Sequence, residues 1–175
     1  MYLPRSTGNT PCFYNHFVTD REEPFDQPGT PEEPKGHYIF DKPEPLWNFG
    51  HGKSYTTFDY VDCALSDTLL AASDTLKVSV MIKNTGRCDG KEVVQLYVRD
   101  KVSTVATPIQ QLKAFQKVLV KSGESQCVEL SLPIAELALY NAKMEEVVEP
   151  GDFEIQIGAA SDDIRFKKTI TINRK

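Results

Sequence analysis

The 175-residue sequence has no run of about 18 or more apolar residues, so no segment is predicted to cross a membrane as a helix. It also lacks an excess of basic charge, with 20 Lys and Arg against 25 Asp and Glu and a formal net charge of −5. The basic residues are spread along the chain without a basic run, which argues against the positive patch of a protein that binds nucleic acid or anionic lipid. We therefore predict neither nucleic acid nor a membrane as a partner.

Metal-ligand patterns are also missing. The cysteines lie far apart without C-x-x-C spacing, and the histidines lack the i, i+4 spacing of a helical metal pair. These residues are Cys12, Cys63, Cys88 and Cys127, and His16, His37 and His51. We predict no metal site and no cofactor. Isolated thiols are expected, although the even number of cysteines also permits disulfides.

Residues 1–45 are rich in proline and acid. Six of the 11 prolines lie between Pro24 and Pro45, among several Asp and Glu residues. Proline removes backbone donors and charge adds no buried area, so this segment is expected to be irregular, either disordered or wrapped over a neighbouring surface. Its apolar residues favour wrapping, and they are Tyr2, Leu3, Phe13, Tyr14, Phe17, Tyr38, Ile39 and Phe40.

From residue 57 onward the hydrophobic pattern has a period of two, which is typical of strands with one buried face. Both faces of residues 92–100 are partly apolar, which indicates a central strand, and a short helical turn is expected over residues 133–140. The predicted strands lie near 57–65, 76–83, 92–100, 111–120, 127–132, 153–158 and 164–172. We predict an all-β fold: an immunoglobulin or fibronectin type III-like antiparallel β-sandwich of about seven strands, preceded by a mostly irregular N-terminal segment.

Carboxylates offer the most material for catalysis, because two of them about 5 Å apart can run retaining glycoside hydrolysis, and a separation of roughly 6.5–9.5 Å suits the inverting reaction. The candidates cluster in two loops and are Glu145, Glu146, Glu149, Asp162 and Asp163. Acidic residues at sandwich turns more often stabilise the turn or face solvent. No catalytic residue is assigned in this chain.

Aromatic and glycine residues are concentrated in residues 45–58, which we call the aromatic-glycine run. Its aromatics, together with Tyr60, suit either a sugar-stacking platform or burial against a neighbouring domain, and burial is the favoured interpretation. The candidate interdomain or sugar-contact residues are Trp47, Phe49, His51 and Tyr55.

The aromatic-glycine run resembles the linker that leads into the C-terminal fibronectin type III-like domain of family 3 glycoside hydrolases of the β-glucosidase type. Further motifs follow in the family's order, at residues 84–100, 108–115 and 147–164. The resemblance implies that residues 1–45 are the tail of an upstream α/β domain plus an acidic linker, and that residues 46–175 are the sandwich. The aspartate nucleophile and glutamate acid/base of such an enzyme would lie upstream of Met1.

On this resemblance the chain is a non-catalytic accessory domain that braces the catalytic domains of a retaining glycoside hydrolase, and it is expected to be inactive alone. Its partners would be those upstream domains, with a β-linked glycoside reached only through the parent enzyme. The family favours a periplasmic or secreted location, although Tyr2 to Arg5 do not read as an export signal.

Two other functions stay open: a free-standing carbohydrate-binding or adhesion module, and a protein-docking domain in an oligomer. For the structure, we expect a well-formed sandwich after Tyr55, with a leading segment that is loosely held or borrows a neighbour.

Overall fold

The computed structural model describes residues 3–8, 13–17, 30–32 and 45–173. Their regular structure is almost entirely strand, which confirms the predicted all-β sandwich. The strands are β1 (Phe58–Leu65), β2 (Leu69–Leu70), β3 (Thr75–Asn84), β4 (Gly90–Asp100), β5 (Gln111–Val120), β6 (Ser125–Pro133), β7 (Leu139–Tyr140), β8 (Glu146–Val147), β9 (Gly151–Gly158) and β10 (Ile164–Ile172). All seven predicted strands are present, and β2, β7 and β8 are additional two-residue strands.

The strands form two main sheets and one small hairpin. The three-stranded sheet has the order β1-β3-β6, and the five-stranded sheet has the order β2-β10-β9-β4-β5. Neighbouring strands are antiparallel except for the short β2, which runs parallel to β10. The strands β7 and β8 pair only with each other.

The core lies where the inward faces of the two main sheets meet. In β3 every second residue from Leu76 to Ile82 is fully buried, as the alternation predicts. The same pattern buries Val128, Leu130 and Leu132 of β6. Residues of both sheets belong to one continuous hydrophobic cluster, so the two sheets share a single core.

Strand β4 is central, as its two apolar faces predict, because it pairs with β5 on one side and β9 on the other. Its partner β9 is shorter and ends at Gly158, opposite Gln95. Residues 90–94 of β4 therefore extend beyond the end of β9. This leaves a gap at one end of the five-stranded sheet, next to the turn over residues 159–163.

The predicted helical turn is present as a 3-10 turn over Ile134–Leu137, with Pro133 directly before it. Ile134 and Leu137 are buried, so the turn closes one end of the core as it leaves β6.

The leading segment forms isolated β-bridges with the rest of the chain at two places. Leu3 pairs with Trp47 through backbone hydrogen bonds, and Phe17 forms an isolated bridge with Pro108. The predictions for Tyr2, Cys12, His37 and residues 38–40 lie outside the described residues.

In the described part of the chain, no helix has the length and apolar character needed to cross a membrane.

Candidate functional site

Part of the aromatic-glycine run lies on the outer face of the five-stranded sheet. The Phe49 ring stacks on Tyr14, with ring centroids 4.0 Å apart and planes 11° apart. Tyr14 in turn packs edge to face on Tyr97 of β4, with ring centroids 6.0 Å apart. The Tyr14 hydroxyl accepts a hydrogen bond from the Leu112 amide. Tyr97 is fully buried, although its side chain is on the outward face of β4. Phe49 thus has a stacking partner within the chain, in the leading segment.

Gln95 fixes the backbone of the run beside these rings. Its Nε2 donates to the carbonyl oxygens of Gly50 (3.2 Å) and Ala159, while its Oε1 accepts from the Tyr97 hydroxyl at 2.6 Å. Gly50 has φ of 81°, and a Cβ there would overlap the Gln95 side chain. The contact therefore requires glycine at position 50.

Trp47 and Tyr55 lie in different surroundings. The Trp47 ring stacks on His51 at 4.3 Å, and the Lys53 ammonium lies 4.7 Å from its centre. Trp47 is half-buried, whereas Tyr55 is fully exposed. The four predicted contact residues thus do not form one platform.

An apolar groove of about 880 Å³ runs along this outer face. Phe115 is 66% exposed at its edge, and Leu3 is 46% exposed. The residues that define the apolar groove are Leu3, Trp47, Phe49, Val93, Leu112 and Phe115. An aromatic and aliphatic surface of this kind is suited to contact with another protein surface.

A second depression of about 660 Å³, the polar pocket, lies beside the gap left by the short β9. The Tyr60 hydroxyl of β1 donates to Glu92 Oε1 of β4 at 3.0 Å. Arg165 of β10 holds Asp163 through two contacts of 2.5 and 2.8 Å, with its guanidinium 5.7 Å from the Tyr60 ring centre. The residues that define the polar pocket are Tyr55, Tyr60, Lys91, Glu92, Lys117 and Arg165.

Burial alters the acid-base properties of this pocket. It raises the pKa of the Glu92 carboxyl, and the nearby Asp163 carboxylate raises it further, while the Tyr60 hydrogen bond and Arg165 act in the opposite direction. Burial and Glu92 together raise the pKa of Tyr60 well above its ordinary value. Tyr60 is therefore a hydrogen-bond donor at neutral pH.

Comparison with known proteins shows which family this chain is similar to. The family model of the fibronectin type III-like domain matches residues 92–161. A β-xylosidase of Formosa agariphila is 39% identical over 177 residues, which cover 100% of this chain and 23% of that protein. A periplasmic β-glucosidase of Salmonella typhimurium is 35% identical over 166 residues, or 93% of this chain and 21% of that protein.

A crystal structure of β-glucosidase from Listeria innocua in complex with isofagomine superposes with a TM-score of 0.83 at 34% identity, over 98% of this chain and 24% of that one. These matches fall in the C-terminal part of family 3 glycoside hydrolases. The chain belongs to the fibronectin type III-like domains of that family. It spans about a quarter of the length of the relatives it matches.

In this fibronectin type III-like domain the candidate carboxylates hold loops in place. Glu149 accepts hydrogen bonds from the backbone and hydroxyl of Thr104, which lower the pKa of its carboxyl. Glu145 accepts from the Asn141 amide, and Asp162 accepts from Asn48 at 2.6 Å. Asp163 pairs with Arg165. These partners agree with turn-stabilising roles, and the exposed Glu146 forms the end pair of β8.

The cysteines that the structure describes are free thiols: Cys63 is buried, while Cys88 and Cys127 are exposed. His16 contacts the Phe17 carbonyl, and His51 stacks on Trp47. Within the described residues, no three His, Cys, Asp or Glu side chains come together as a metal site.

Sequence reasoning missed Gln95 and Glu92 of β4. Gln95 carried a weak signal, because an amide in the middle of a largely apolar central strand needs hydrogen-bond partners once it is buried. The role of Glu92 carried no such signal, since its partners come from β1 and β10.

Proposed function

We propose that this chain is a non-catalytic accessory domain that braces the catalytic domains of a family 3 glycoside hydrolase through its apolar groove. The observation that carries the proposal is the groove itself, in which Trp47 and Phe115 flank an apolar depression on the outer sheet face. The relatives are about four times longer than this chain, so ample protein surface exists in them to cover such a face.

The proposed role is mechanical. In the parent enzyme a nucleophilic carboxylate and an acid/base carboxylate would cleave a β-linked glycoside with retention, and their separation of about 5 Å has to be maintained. A rigid sandwich docked on those domains limits their relative movement and holds that geometry. The candidate carboxylates of this chain support the proposal, because Glu149 and Asp163 are engaged by loop and strand partners.

The test uses the parent enzyme with Phe115→Asp in the apolar groove. A charge there should weaken the domain contact by about 2 kcal/mol, since it would be buried without a partner. We expect faster thermal inactivation of aryl-β-glycoside hydrolysis. Tyr140→Asp, at an exposed position of the β7–β8 hairpin outside the groove, is the matched control.

Equal inactivation rates for the two variants would refute bracing through this face. Hydrolysis of the aryl glycoside by the purified 175-residue chain, surviving repurification and lost in Glu149→Gln, would refute the non-catalytic role.

A further inference from the structure

The polar pocket is built by irregularities in two strands. The pairing of β1 with β3 shifts register between Tyr60 and Asp62, and that of β10 with β9 shifts between Ile164 and Phe166. These bulges leave Val61 and Arg165 as the extra residues. Because a bulge re-aims the neighbouring side chains, the two shifts help direct Tyr60 and Arg165 toward Glu92 from opposite sheets.

Acceptors and donors are both present in the pocket. Tyr60 engages only Oε1 of Glu92, and among the described residues Oε2 has no hydrogen-bond donor. Lys91 and Lys117 also line the pocket, and neither forms an ion pair with another residue that the structure describes. Charges of both signs line the pocket, because Asp89 and Asp163 accompany Glu92, and Lys53 and Arg165 accompany the two lysines. Neither an anionic nor a cationic ligand is therefore favoured. The hydroxyl groups of a neutral ligand suit the acceptors and the donors of the pocket alike, because each can donate to Glu92 or accept from a lysine.

Tyr55 adds an apolar surface at the same place. Tyr55 is one of the residues that line the polar pocket, and its side chain is fully exposed, whereas Trp47 is already stacked on His51. The apolar face of a sugar ring can pack on such an exposed aromatic. The volume of about 660 Å³ also falls within the usual range for small-ligand sites.

We propose that the polar pocket is a binding site for a neutral pyranoside, which stacks on Tyr55 and donates a hydroxyl hydrogen bond to Glu92. Lys91 and Lys117, which also line the pocket, donate to further hydroxyl oxygens. The pocket borders the apolar groove, with which it shares Gly50, Gly52, Lys53 and Val93, but Tyr55 and Glu92 lie outside the groove. The proposal does not rest on the bracing role. A domain that contacts its parent through the groove can present this pocket to a glycan.

The test is a titration of the isotopically labelled 175-residue chain with cellobiose and, separately, with xylobiose, followed by amide chemical shifts. We expect concentration-dependent shifts at Thr56, Gly90 and Glu92, which surround the pocket. Tyr55→Ala and Glu92→Gln should each weaken the affinity by roughly 3- to 10-fold, through loss of the stacking surface or of the carboxylate acceptor. Glutamine at position 92 retains an acceptor for Tyr60, so the fold is expected to persist.

Tyr140→Ala is the matched control, because it removes another exposed tyrosine that does not line the pocket. Its affinity should equal that of the unmodified chain. The absence of shifts at the highest soluble concentration of both sugars would overturn the proposal. Shifts confined to the apolar groove, or binding that neither Tyr55→Ala nor Glu92→Gln weakens, would overturn it as well, and neither result bears on bracing.

Discussion

Gln95 shows how one side chain can attach a segment to a sheet. Its amide contacts two backbone carbonyl groups and the Tyr97 hydroxyl, so all of its described partners are polar and close. A buried amide without these partners would cost roughly 1–3 kcal/mol, so the segment and the side chain stabilise each other. Position 50 does not tolerate a side chain in this arrangement, because a Cβ there would overlap Gln95.

Gly50→Ala is expected to destabilise the chain by about 2 kcal/mol or more, because alanine disfavours a φ of 81° and its Cβ would displace Gln95. Chemical denaturation measures the loss. Gly52→Ala is the control: a Cβ there meets nothing within 4 Å, and the change should stay within about 0.5 kcal/mol. Equal losses at the two positions would show that Gln95 does not fix the backbone.

The raised pKa of Glu92 predicts how the stability of the chain depends on pH. Its pKa is raised in the folded chain by burial, so its contribution to stability is fully present below the ordinary carboxyl pKa and declines as the pH rises through the folded value. Glu92→Gln removes this decline. The stability of the variant relative to the unmodified 175-residue chain should therefore increase between about pH 4 and pH 7.

Denaturant titrations at the two pH values test this, with Glu129→Gln at an exposed position of β6 as the control for losing one carboxylate. A relative stability of Glu92→Gln that stays constant or falls with pH would contradict the assignment.

At the scale of elements, the leading segment is attached mainly through Tyr14, which connects Phe49, Tyr97 and the Leu112 amide. Tyr14→Ala should lose the ring contacts, worth roughly 0.5–1.5 kcal/mol beyond the buried area. Tyr14→Phe keeps the rings and removes only the hydroxyl. Both variants should accelerate hydrogen exchange at Leu112, and only the alanine variant should lower stability substantially.

Phe13→Ala provides the comparison, because Phe13 is the neighbouring aromatic and is largely exposed. If it destabilised the chain as much as Tyr14→Ala, the segment would not be attached through the Tyr14 stack.

The long strands were predictable and the short ones were not. Period-two alternation identifies β3 because ten residues repeat it, whereas the two residues of β2 or β7 contain no period. The aromatic-glycine run was also recognisable from its composition, while its docking on a neighbouring domain stays a prediction. The pairing of Phe49 with Tyr14 was not predictable, because the two residues are brought together only by the sheet beneath them. The interdomain or sugar contacts of Trp47, Phe49, His51 and Tyr55 stay predictions.

At the scale of the whole molecule, the domain carries two surfaces of opposite character around one sheet. The apolar groove faces outward from β4 and β5, and the polar pocket lies beyond the end of β9. The two surfaces share a border, but Phe115 lines only the groove, and Tyr55 and Glu92 line only the pocket. We therefore propose separate roles for them, which the Phe115→Asp and Tyr55→Ala variants distinguish.

The position of β4 also affects how quickly the chain can fold. Leu96 pairs with Ala114 in the next strand but also with Ile157, near the far end of the sequence. The centre of the sheet therefore cannot form until a long loop has closed, and that loop costs entropy before its contacts form. Sandwiches with such distant pairings reach the native state in milliseconds to seconds, so slow folding follows from the order β9-β4-β5 itself.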